Sequence, residues 1–160
     1  MGADIYLSSI ADRARHMYEP LFNDAVKRRN LAKTEGLKAE WQHKVEKYHD
    51  AMFPEEGYFR DSYNATSVFQ VMDLSWWQLG DEMLDETAHL PVDKARELLA
   101  LIEQRPISYE TVTAHCEQNK LHESKQSIDE WFKYFVAKRE RFMALLRKSI
   151  ELNEPLLWSI

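Results

Sequence analysis

Carboxylates and imidazoles recur at helical spacing in this chain. Three Glu-x-x-His pairs, Glu40/His43, Glu46/His49 and Glu86/His89, occur among 17 glutamates and six histidines. On a helix that spacing sets an acid and an imidazole on one face, and two copies on facing helices with two further acids make a di-iron site. Only one or two inward acids can be placed, and Glu86/His89 runs into Pro91, before which a regular helix is disfavoured. No metal is assigned. His115, Cys116 and His122 do not supply the four tightly spaced ligands of a zinc site. Cys116 lacks a glycine-rich turn or a basic neighbour to lower its pKa, so it reads as a small buried hydrophobe and not as a nucleophile. The chain has no phosphate-cradling glycine loop, no Gly-x-Ser-x-Gly and no His-Glu-x-x-His. Accordingly no catalytic residue and no cofactor is assigned, and the balance leans away from an enzyme.

The richest polar stretch is Gly57–Asn64, which gathers Tyr58, Arg60, Asp61, Tyr63 and Asn64 at a loop-to-helix junction. Free backbone donors at such a junction suit a polar ligand. The same residues also have ordinary duties: Asp61 or Ser62 as helix cap, Arg60 as ion-pair partner, the tyrosines as packing. Charge singles out the same region. Residues 54–93 carry nine acids (Glu55, Glu56, Asp61, Asp73, Asp81, Glu82, Asp85, Glu86, Asp93) and one base, Arg60. The 53 residues before hold eight acids and nine bases, and the 67 after hold ten and eleven. Segment charges of +1, −8 and +1 place the whole net charge of −6 in the middle. Trp76 and Trp77 cannot both face one core from one helix, so one of them is a partner-surface candidate beside Asp81, Glu82, Asp85 and Glu86.

The elements that must position these groups read as helices. Few glycines and prolines (four and five) disfavour a turn-rich β fold. GADIYL is a brief strand or extended lead-in, and Ser9–Asp12 resembles a capping box. Ile10, Ala14, Met17 and Leu21 lead into a long helix from about Pro20 to Met52, bent near Gly36. Asp61 or Ser62 caps a second helix with Ala65, Val68, Phe69, Met72, Trp76 and Leu79 inward, stopping at Gly80. Pro91 opens a third helix that ends before Pro106, and Ser108 caps a fourth segment to about Asn119. Ser127–Glu130 is a capping box for a last helix with Trp131, Phe135, Phe142, Leu146 and Ile150 inward. Arg139 falls on that inward side, its stem packing and its head reaching solvent or a buried carboxylate; the alternative is a recessed anion-binding arginine. The expected fold is all-α: a single helical domain over 1–160 of about five helices, with long N- and C-terminal ones. After Pro155 the tail Leu156–Ile160 is too apolar to leave in water, so it folds back on its own bundle or, as the second option, docks on another copy.

Several function classes fall away. The acidic balance argues against direct nucleic-acid binding, and Lys27-Arg28-Arg29 and Lys138, Arg139, Arg141, Arg147 and Lys148 read as solvated faces. No apolar run approaches the ~20 residues that span a bilayer, so no membrane role is expected. A lone cysteine fits a reducing, cytoplasmic compartment and makes the Asn64-Ala65-Thr66 sequon accidental. The opening GADIYL, the GYFRDSYN junction, and LSWW followed by LPVDKARELLALIE resemble a group of uncharacterised small bacterial and phage-borne proteins. That resemblance implies no activity and carries over no functional residue. The expected function is a non-catalytic interaction or regulatory protein presenting its acidic, aromatic-rich surface (54–93) to a basic protein partner. In its narrowest form it is a phage-borne inhibitor. The alternative is a small enzyme or polar-ligand-binding domain centred on the junction.

Overall fold

The computed structural model describes residues 2–121 and 125–159; His122 lies outside them. Among the described residues there are seven helices and four strands. The fold is therefore mixed helix and sheet, which corrects the all-α, five-helix-bundle expectation. The chain divides into two compact units, Leu7–Tyr58 and the remainder.

The remainder is built on a sheet of order β2-β1-β4-β3, with β1 Gly2–Tyr6, β2 Tyr58–Ser62, β3 His89–Leu90 and β4 Leu156–Ser159. β4 runs antiparallel to both neighbours, with Ile5 opposite Trp158 and Leu90 opposite Leu156. Period-two alternation decides which face is buried: Ala3, Ile5, Phe59, Asp61, Leu90, Leu156 and Trp158 go in, while Asp4, Tyr6, Arg60 and Leu157 are more exposed. The apolar tail is thus the strand between β1 and β3, docked on its own sheet. β2 escaped the sequence reading because the charged Asp61 occupies an inward position and masks the alternation. Gly2 is required by close approach, since a Cβ there would collide with the Asp61 backbone carbonyl.

Helices α3 Val68–Val71, α4 Trp76–Met83, α5 Val92–Glu103, α6 Tyr109–Gln118 and α7 Ile128–Leu152 complete this unit. The expected second helix is a strand followed by two short helices. Ser67, not Asp61 or Ser62, is the N-cap of α3, Asp73 at φ 55° separates α3 from α4, and Gly80 lies inside α4. Of the expected inward set, Val68, Phe69, Met72, Trp76 and Leu79 are buried even so, and Ala65 is half-buried. Ser108 caps α6 and the Ser127/Glu130 capping box opens α7, as read from the sequence. From α7, Phe142 lies 4.8 Å from the Phe59 ring and 5.2 Å from Phe69, which brings the long helix against the sheet's buried face. Arg139 meets no buried carboxylate; its Nη1 pairs with the exposed Glu140 at 2.9 Å. Its guanidinium donates to the Ile102 and Arg105 carbonyls (2.9 and 3.2 Å), satisfying the C-terminal end of α5.

Leu7–Tyr58 is a helical hairpin of α1 Ser8–Leu31 and α2 Glu35–Ala51. The predicted single helix breaks at residues 32–34, because Thr34 can cap α2, accepting from the Leu37 amide at 3.3 Å. Helix α1 begins at Ser8 without a side-chain cap and runs on through Pro20. The base of the hairpin closes where the Leu7 amide donates to the Gly57 carbonyl at 2.9 Å. Among the described residues no helix is long and apolar enough to cross a membrane.

Candidate functional site

Helix α4 starts where Ser75 accepts from the Gln78 amide, and its first two residues then point opposite ways. Trp76 is 4% exposed, its ring 3.8 Å from Phe69 and 5.1 Å from Trp158. Trp77 is 65% exposed and stacks on Tyr63 at 5.8 Å and 23°. The Tyr63 hydroxyl is buried without a hydrogen-bond partner among the described residues. Desolvation, with a smaller contribution from the Asp4 charge, raises its pKa and keeps the phenol neutral. One face of the indole is thus held by a tyrosine ring, which fixes the side chain without covering it.

Asp81 follows Trp77 by one helical turn and so shares its face. Asp81, Glu82, Asp85 and Glu86 are all exposed. Glu82 accepts from Gln78 at 2.9 Å. Asp85 Oδ1 accepts from the Thr87 hydroxyl and amide and from the His89 amide (2.7, 2.8 and 2.9 Å), and these bonds, the Thr87 hydroxyl first, lower its pKa. Among the described residues no lysine or arginine pairs with any of the four. Five exposed acids elsewhere, Asp24, Glu35, Glu40, Glu97 and Glu151, each hold a cation one helical turn away.

The junction residues diverge. Tyr58 packs on Phe53 at 4.9 Å. Arg60 is exposed and 3.7 Å from Asp4. Asn64 folds into a local turn, its Oδ1 accepting from the Thr66 amide and hydroxyl at 3.0 and 2.7 Å. Asp61 alone goes inward, where its carboxylate receives Lys138 Nζ at 2.6 Å, Ser67 Oγ at 2.7 Å, Trp76 Nε1 at 3.2 Å and the Val68 amide at 3.3 Å. Lys138 also donates to Tyr134 Oη at 2.8 Å. This network is fully partnered, and Ser67 is wholly buried, which suits cross-linking of the fold better than turnover. Gly2, Arg60, Asp61, Ser62 and Lys138 line an open depression of about 340 Å³ beside it. Sequence reasoning missed Lys138. Its signal was spacing: three residues after Phe135 and four before Phe142, on the inward stripe of α7.

The other candidate ligands stay apart. Glu40 pairs with Lys44, Glu46 accepts from Gln42, and Glu86 sits in the turn before β3 while His89 is the first residue of that strand. His115 Nε2 donates to the Ala65 carbonyl at 2.7 Å. Cys116 is buried, and burial pushes its thiol pKa up. Among the described residues no three His, Cys, Asp or Glu side chains are placed to hold a metal ion. No family model, curated protein or solved structure matches the chain.

Proposed function

We propose that this is a non-catalytic interaction protein whose α4 face docks on a basic protein surface, with Trp77 as anchor and Asp81, Glu82, Asp85 and Glu86 as an acidic rim. The observation that carries the reading is an exposed indole, immobilised by Tyr63, beside four carboxylates without a cation. A pre-ordered aromatic loses little side-chain entropy on docking, and such anchors dominate interface energetics. Unpaired like charges around it speed encounter with an oppositely charged surface and reject acidic ones. In its narrowest form the protein is an inhibitor that covers the basic surface of its target, working in a reducing, cytoplasmic compartment where Cys116 remains a thiol.

The junction depression around Arg60, Ser62 and Lys138 is a weaker candidate for a ligand site, because the Asp61 carboxylate at its floor is already engaged by four donors. The test uses a cationic, leucine-containing helical peptide as probe, with calorimetric titration at two salt concentrations. Binding is expected to weaken with salt, and Trp77→Ala or the double change Asp81→Lys/Glu82→Lys should each weaken it at least about tenfold. Binding that ignores both substitutions would overturn the reading.

A further inference from the structure

The hairpin tip has the opposite character to the α4 face. Residues 27–38 hold five bases, Lys27, Arg28, Arg29, Lys33 and Lys38, against the single acid Glu35, a local charge of +4 in a chain of net −6. Arg28 and Lys38 are engaged by Asp24 and Glu35 at 2.7 Å. Lys27 and Lys33 are exposed and, among the described residues, hold no carboxylate. Leu31 and Leu37, one on each arm, are 68% and 47% exposed. Beside them a depression of about 630 Å³ is lined by Arg29, Asn30, Glu35, Lys38, Ala39 and Gln42. The tip thus sets two exposed leucines and a depression walled by the stems of polar side chains among basic residues. The α4 face is an aromatic centre with an acidic rim.

We infer that the two surfaces belong to one interface between copies of this chain: the tip depression of one copy seats Trp77 of the next, and Lys27 and Lys33 face its Asp81 and Glu82. The inference rests on the proposed role of the α4 face and names its partner. Charge complementarity selects the occupant, since a base-rich tip meets a face whose four carboxylates, Asp81, Glu82, Asp85 and Glu86, hold no cation among the described residues. A lone basic cluster would suit phosphates equally, but the exposed Leu31 and Leu37 add nothing to phosphate binding. The tip also places cationic side chains around the seat, where the open face of an indole gains cation–π attraction. Because the surfaces differ, the contact is heterologous. Each added copy leaves one tip and one face unused, so assembly grows with concentration unless a ring closes.

Sedimentation velocity from micromolar to millimolar protein, at low and high salt, tests this with two variants. One changes the tip (Lys27→Glu/Lys33→Glu) and the other the face (Trp77→Ala/Asp81→Ala/Glu82→Ala). The wild-type average mass should rise with concentration, with an association constant about tenfold lower in high salt. Each variant alone should stay monomeric, while an equimolar mixture should give a 1:1 complex and nothing larger, since it offers one intact tip and one intact face. A wild type that stays monomeric throughout, or a mixture that does not associate, overturns the inference. If the tip variant still binds the cationic peptide through Trp77, the proposed function survives that failure; if it does not, both fall. A monomeric wild type whose tip binds phosphatidylserine vesicles or duplex DNA would assign the tip to a membrane or a nucleic acid instead.

Discussion

The two compact units are held by different means. In the sheet-bearing unit Phe59, Phe69, Phe135, Phe142 and Trp158 are at most 2% exposed, and Asp61–Lys138 forms a buried ion pair. In the hairpin only Leu7, Ala11 and Ala25 among the apolar side chains are buried that deeply, Val45 and Met52 are each 8% exposed, and Met17, Leu21, Leu31 and Leu37 are exposed. Its helices gain instead from one-turn ion pairs and from Arg28 and Lys44 against the Trp41 ring, at 5.1 and 4.0 Å. Such surface contacts are worth tenths of a kcal/mol to about 1 kcal/mol each, against about 1.5–3 kcal/mol for each large side chain buried. Two units built from comparably long helices can thus differ severalfold in how firmly they are held. Periodicity shows where a helix can pack, and partner size decides what that packing contributes.

Four perturbations sharpen or break this contrast. The largest effect is expected from deleting residues 156–160, which removes the strand between β1 and β3 along with Leu156 and Trp158. About 5 kcal/mol of burial is lost, lowering the melting temperature by about 10–20 °C equally at low and high protein concentration. A melting temperature that is unchanged, or that falls only in dilute samples, would contradict the docking of the tail on its own sheet. Next comes Asp61→Ala, which leaves Lys138 buried without its carboxylate and should cost about 3–5 kcal/mol in urea denaturation. Adding Lys138→Met should restore most of that, and a cost under about 1 kcal/mol would mean the pair is not closed to water.

Gly57→Ala probes the hairpin. The new Cβ would meet Ile10 at 2.5–2.6 Å, at a cost of about 1–3 kcal/mol. Amide exchange should accelerate in α1 and α2 while α5 and α7 keep their protection; uniform acceleration would show that the two units open together. The smallest effect is the pH response of Asp85. Its folded pKa is depressed, so its contribution is complete at neutral pH and is lost only as pH falls below the ordinary aspartate value of about 4 and through the folded one. The Thr87 and His89 amide resonances should shift in that acidic range and stay still in Asp85→Asn.

Legibility followed locality. Helices α5, α6 and α7 were readable because Pro91, Ser108 and Ser127 mark their starts within a few residues. The opposed fates of Trp76 and Trp77 followed from helical geometry alone. The sheet was not readable. β3 has two residues, β4 looked like an apolar tail, and β2 carries an inward aspartate whose partners lie 6, 15 and 77 positions away at Ser67, Trp76 and Lys138. The acidic segment was visible as composition. Which of its carboxylates lack a cation was not, because pairing depends on rotamers and on neighbours remote in sequence. The break between α1 and α2 was hidden because apolar spacing continues across it.

The pairing of β1 with β4 also bears on how quickly the protein reaches its folded state. Ile5 and Trp158 stand opposite each other across 153 positions of chain. Closing a loop that long costs about 2 kcal/mol more entropy than closing one a tenth its length. The α1–α2 hairpin and the packing of α5 on α7 can form over far shorter separations. The central strand pair is therefore expected to be the last part of the sheet to assemble and to set the folding rate, as non-local pairings generally do. Until then the inward Ile5 and Trp158 remain uncovered, which makes the interval before sheet closure the period when crowded chains are most prone to aggregate.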